Sequence, residues 1–198
     1  MKKIFLIITI AFFSITTITA QKKINFGVKG GFNFSNITQG VYSGYTSSKT
    51  GMNIGLLAEI PLSDKFAIQP EILYSTQGAK TSIILNSLTF PGAPPIPAEY
   101  KLNYIQIPVL AKVNIINSLS FEIGPQFSFL TKAEEKSSLG TTSNIGNHFE
   151  FGGVLGISYK INKTIFLNSR YLKGFSKAFK NNGEAKNFGF QLGIGILF

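Results

Sequence analysis

Apolar side chains and small or polar ones alternate through the segment Lys186–Phe198. Phe188, Phe190, Leu192, Ile194, Ile196 and Phe198 share one parity; Asn187, Gly189, Gln191, Gly193 and Gly195 share the other, broken only by Leu197. Successive side chains of a strand point to opposite faces, so this segment predicts a strand with one apolar wall and one small, polar wall. Ile24–Phe34 alternates as cleanly, with Ile24, Phe26, Val28, Phe32 and Phe34 against Asn25, Gly27, Lys29, Gly31 and Asn33. Six more segments have strand character: Gly51–Ile60, Phe66–Gln77, Lys101–Val113, Leu119–Leu130, Phe149–Ile161 and Thr164–Lys173. Helical periodicity fits none of them, and glycine every few residues lowers helix propensity.

The connections sort by length. Ser35–Thr50, Gly78–Tyr100, Thr131–His148 and Gly174–Lys186 are long; Pro61–Lys65, Asn114–Ser118 and Asn162–Lys163 are short. Short turns on one side and long loops on the other are the habit of an up-and-down barrel in an outer membrane. The segments are also near the ~9–11 residues that a tilted strand needs to cross a bilayer. The predicted fold is therefore all-β: an eight-stranded antiparallel up-and-down transmembrane β-barrel.

Lipid offers no hydrogen bonds to a strand edge, so a spanning sheet must close on itself. A soluble barrel with its apolar face inward would need abundant charge outside, whereas here the charges fall on the minority face. Pro70, Pro108 and Pro125 run against the pattern. Proline removes a ladder hydrogen bond and is expected at edges or bulges, so local bulges or strand ends are predicted at all three.

Composition supports export to an envelope. Residues 1–20 carry Lys2 and Lys3, an apolar stretch Ile4–Ile15 and a small-residue end to Ala20. This reads as a signal peptide cut near Ala20, leaving 21–198 as the barrel domain; an N-terminal anchor helix is the alternative. Export together with barrel strands places the protein in a bacterial outer membrane. With no cysteine, disulfides, thiolate metal sites, cysteine catalysis and lipoprotein attachment are excluded.

Three segments carry a family resemblance: AIQPEILYSTQGAK (Ala67–Lys80), LNYIQIPVLAKV (Leu102–Val113) and FEIGPQFSFL (Phe121–Leu130). In that order they resemble the bacterial outer membrane protein beta-barrel family, often labelled porin-family or PorT-like. The resemblance implies an outer-membrane location and, through the PorT-like label, a part in protein secretion. It implies no particular activity.

Strand parity assigns eight charged residues to the barrel interior: Lys29, Glu59, Glu71, Lys112, Glu122, Glu150, Lys160 and Arg170, four of each sign. Gln69, Gln106, Gln126 and Gln191 join them. An unbalanced ring would tune ion selectivity; a balanced set in a narrow space predicts a paired network, because isolated buried charge is costly. Eight strands enclose little more than their own side chains. The interior is accordingly read as plugged, and the role as structural or surface-binding, with a narrow porin-like channel as the alternative.

No enzyme is predicted. The single histidine, His148, stands near Ser143 and Glu150 at the end of a loop, without the histidine and serine two apart on one strand that lipid A deacylases of this architecture carry. No metal cluster, phosphate-cradling loop or cofactor fingerprint is present. The formal charge is +10, yet there is no clustered basic groove with stacking aromatics, so nucleic acid is not the predicted partner. Lys49, Lys80, Lys132, Lys136, Lys173, Lys177, Lys180 and Lys186 fall largely in the predicted loops, either facing lipopolysaccharide phosphates or simply solvated. The other predicted partners are outer-membrane lipid and, through the terminal strand ending in Phe198, the barrel-assembly machinery.

Overall fold

A computed structural model describes residues 23–38, 46–83, 92, 94–143, 145–180 and 185–198. The predicted signal peptide lies outside the described residues, as do residues 39–45 of the first long loop. The strands are β1 (Asn25–Ile37), β2 (Ser47–Pro61), β3 (Phe66–Ile83), β4 (Ile96–Asn114), β5 (Leu119–Ser137), β6 (Gly140–Ser143), β7 (Phe149–Lys160), β8 (Ile165–Gly174) and β9 (Asn187–Leu197). Their order is β4-β3-β2-β1-β9-β8-β7-β5, and a β4–β5 pairing closes the ring. All pairings are antiparallel. Eight strands make the wall. The four-residue β6 pairs only with the end of β5, as an arm on the long-loop side.

The short turns follow β2, β4 and β7, and their own polar side chains fold them. The Ser63 hydroxyl accepts from the Phe66 N–H at 3.1 Å, and the Asn162 side-chain carbonyl accepts from the Thr164 and Ile165 N–H groups at 2.8 and 2.7 Å. Such local bonds are why Ser and Asn favour turns.

The wall is apolar outside. Phe26, Phe32, Met52, Ile54, Leu56, Ile72, Phe190 and Ile194 are all exposed, Ile54 to 67%. So continuous an apolar surface far exceeds what a water-facing monomer carries, and lipid is the medium that suits it. Leu197, the exception to the parity of the last strand, turns inward and packs with Leu57 and Phe166.

The prolines behave differently from the prediction of bulges or strand ends. Pro70 pairs with Val109 and Pro108 with Gln126, each beside a short gap across which the register is unshifted. Pro125 pairs with Gly153 in an unbroken β5–β7 ladder, while it falls in the gap of the β4–β5 pairing. The register shifts lie elsewhere, between Ser48 and Asn53 and between Asn103 and Tyr104. The three prolines sit close in height on neighbouring strands, so each missing N–H weakens a local row while the continuous rows above and below hold the register.

β3, β4 and β5 are longer than predicted, at 18, 19 and 19 residues against 10 for β8. Their surplus projects on the long-loop side. Alternation persists there, with Ala79, Ala98, Leu102 and Ala133 buried, but the opposite face carries Lys80, Glu99, Lys101 and Lys132 in place of phenylalanine and isoleucine. Strand pairing outlasts the lipid-facing pattern. Pro97, in the predicted long connection Gly78–Tyr100, is paired with Ser82.

Candidate functional site: a sealed lumen beneath a basic outer face

β4 crosses every layer of the interior. From the long-loop end its inward residues are Ala98, Tyr100, Leu102, Tyr104, Gln106, Pro108, Leu110 and Lys112. The alternation fixes their direction, and the ring supplies partners from all sides.

Toward the short-turn end lies a charge network. The Arg170 guanidinium donates through Nη1 and Nη2 to the two oxygens of Glu71, both at 2.8 Å, and through Nε to Glu122 at 2.7 Å. Lys29 donates to Glu71 at 3.3 Å and to Gln191 at 3.2 Å. Lys112 bonds Glu59 at 2.7 Å and Gln69 at 3.0 Å, and Lys160 reaches the other oxygen of Glu59 at 2.6 Å. Gln69 closes the circuit by donating to Glu71 at 2.6 Å. Fork-shaped Arg–carboxylate pairing combines geometry with charge-assisted strength, and shared partners offset the desolvation of each ion.

All eight charged residues assigned to the interior by parity line the lumen, but they do not form one set. Lys29, Glu59, Glu71, Lys112, Glu122, Lys160 and Arg170 interlink; Glu150 stands apart. It has no ion pair among the described residues. Its carboxylate instead accepts from the Tyr104 hydroxyl and from Asn187 Nδ2 at 2.8 Å to the nearer oxygen. The network therefore holds four cations to three carboxylates, and the balance expected from counting residues is completed only at a distance. Strand parity gives direction, not height, which is why the sequence merged two clusters.

Between the two lies a layer of amides and hydroxyls. Asn33 donates to Ser75 at 2.9 Å, Asn53 to Asn33 at 2.9 Å, and Gln191 to Asn33 at 3.1 Å.

At the long-loop end the lumen is capped. The chain leaving β8 turns over the opening and buries Ala178, Phe179 and Ala185 against Ile37, Ala79, Leu102, Tyr104 and Ala133. Phe179 packs on Tyr100 with ring centroids 5.1 Å apart. Backbone bonds hold the cap: Asn147 N–H to Ala178 C=O at 2.9 Å, Lys180 N–H to Ile145 C=O at 3.2 Å, and Ala178 N–H to Ala185 C=O at 2.8 Å. The sequence, read by strand patterns, had no means of seeing this cap. His148 is exposed and lies outside these clusters.

Outside the cap, the outer face of the projecting ends of β2–β5 gathers five lysines and two glutamates. Lys49 and Lys101 pair with Glu99 at 3.8 and 3.5 Å, and Lys132 and Lys136 with Glu134 at 2.9 and 3.5 Å. Lys80 stands opposite Glu99 in the register. Five cations less these two carboxylates leave an excess of three positive charges on that face, and Glu135, opposite Tyr100 on the inward parity of the same strand ends, lowers the excess to two. Lys49, Lys80, Lys132 and Lys136 fall in the predicted loops, and Lys101 at the start of a predicted strand; the structure sets all five on strands.

A closed ring of eight antiparallel strands, apolar outside and polar within, defines a small transmembrane β-barrel of the bacterial outer membrane. The sequence matches the family described as outer membrane protein beta-barrel domain over residues 19–180, and the chain belongs to that family. The fold is similar to that of neisserial surface protein A, at 14% identity and a TM-score of 0.60, covering 89% of this chain and 100% of the other. It is also similar to Ail, the attachment invasion locus protein of Yersinia pestis, at 13% identity and a TM-score of 0.53, covering 89% of this chain and 100% of that one. No protein of curated function matches the sequence.

Proposed function

We propose that the protein is a surface-binding barrel rather than a conduit, and that its ligands are phosphate- or sulfate-bearing polysaccharides of the cell surface. The observation that carries this reading is the basic face on the projecting strands, set above a lumen filled by ion pairs and capped by Phe179. With the interior occupied, the outward surface is what remains to meet other molecules. Five lysines held at strand spacing by β pairing form a stiff array, and an excess of positive charge attracts polyanions in a salt-dependent way. The Ail structure was determined with a sulfated heparin analogue, sucrose octasulfate, which supports the ligand class for this fold. A narrow channel and a part in secretion are the competing readings; among the described residues no cluster in the lumen or on the strands favours either.

Titration of heparin and of lipopolysaccharide against the folded barrel in phosphatidylcholine nanodiscs tests the proposal. Binding that weakens with salt and is lost on changing Lys80, Lys101, Lys132 and Lys136 to Gln supports it. Equal binding by the variant, or none by the folded wild type, overturns it.

A further inference from the structure

The lipid-facing row of β7 is Phe149, Phe151, Gly153, Leu155, Ile157 and Tyr159. Gly153 is its only gap. The register sets Pro125 of β5 on one side of it and Lys173 of β8 on the other. The missing side chain opens a groove of about 400 Å³ in the outer wall, lined by Ile123, Pro125, Phe151, Leu155, Tyr171 and Phe175 together with the backbone around Gly153. That volume lies within the roughly 300–1,000 Å³ of small-molecule sites.

The groove has a built edge. The N–H groups of Phe175 and Ser176 both donate to the Phe151 carbonyl, at 2.8 and 3.2 Å, and Ser176 Oγ accepts from the Phe151 N–H at 2.8 Å. These bonds hold the Phe175 ring over Gly153, 3.1 Å from where a Cβ would stand. The Phe151 and Phe175 rings are 5.9 Å apart.

Its charge is placed for an anionic head. Lys173 is the next-to-last residue of β8, a strand just long enough to cross the membrane, so it stands at the long-loop interface. Lys173 lines the groove, and its ammonium lies 5.4 Å over the Phe188 ring of the neighbouring strand. It makes no ion pair among the described residues. A lysine stem on an apolar wall with its head at the interface is suited to a lipid phosphate.

We infer that this groove is a lipid site: an acyl chain of a phosphate-bearing outer-leaflet lipid lies along Ile123, Pro125 and Leu155 beside the Phe175 ring, with its phosphate on Lys173. The occupant follows from the medium, since only lipid reaches this face, and from the unpaired cation at its end. The site lies on the wall, apart from the basic face, and is independent of polysaccharide binding.

Native mass spectrometry of the protein purified from membranes, with lipid A or dephosphorylated lipid A added to the micelles, tests it. Retention of lipid A above its dephosphorylated form is expected. Filling the groove with Gly153→Leu is expected to lower retention about tenfold, the scale set by losing the burial of a few methylenes. Lys173→Gln, a change at a half-buried outward position near the end of β8, should erase the preference for the phosphorylated lipid. Equal retention of the two lipids by the wild type, or unchanged retention in a folded Gly153→Leu barrel, overturns the inference. If Gly153→Leu does not fold, the Lys173→Gln result decides: an unchanged preference overturns the inference.

Discussion

Arg170 and Glu71, 99 residues apart in sequence, meet in the barrel lumen through two parallel hydrogen bonds of 2.8 Å. Both side chains are essentially inaccessible to water. Removing either one leaves its partner charged and buried. Arg170→Met is expected to destabilise the folded barrel by about 3–5 kcal/mol, the scale of breaking a buried pair. Glu71→Gln added to Arg170→Met should cost less than the two single changes summed, because Glu122 keeps Lys112 at 3.7 Å. Urea unfolding in lipid vesicles of the wild type, both singles and the double checks this.

Phe179 is the cap's largest side chain, and its contacts are local. Phe179→Ala is expected to expose the connection between β8 and β9 to protease without unfolding the wall, since the wall's ladders do not depend on it. Limited proteolysis, with the cut mapped by mass spectrometry, reads the effect. The lumen should stay closed to ions in this variant, because the Arg170–Glu71 network lies deeper.

The row of prolines predicts uneven backbone protection. β1 and β9 pair without a break from Gly27–Leu197 to Ile37–Asn187, whereas the β3–β4 pairing lapses between Pro70–Val109 and Leu73–Gln106. Hydrogen exchange is expected to be slower in β1 and β9 than around Ile72 and Ile107 at matched depth. Equal protection in both places would show that the gaps cost the ladder nothing.

The membrane wall was legible because its code is local. Phe188, Phe190, Leu192, Ile194 and Ile196 declare a lipid face within one segment, and the same parity sends Lys29, Glu71 and Arg170 inward. What lay beyond local reading was anything set by height around the ring. Glu150 shares the inward parity of the ion-pair residues but meets Tyr104 and Asn187 instead. The strand ends were missed for a related reason. Past Gln77 and before Lys101 the outer face turns from apolar to charged where lipid gives way to water, so the signature stops while pairing runs on to Ile83 and Ile96. The prolines misled in the opposite sense. A general rule about ladder hydrogen bonds predicted bulges at Pro70, Pro108 and Pro125, but the closed ring supplies enough neighbouring pairs to keep the register.

A lumen blocked by both ion pairs and the Phe179 cap should not conduct. Single-channel recording of the folded wild-type protein in planar bilayers is the most direct test. The account predicts a flat trace at every holding potential; resolved, reproducible conductance steps from folded barrels would contradict it.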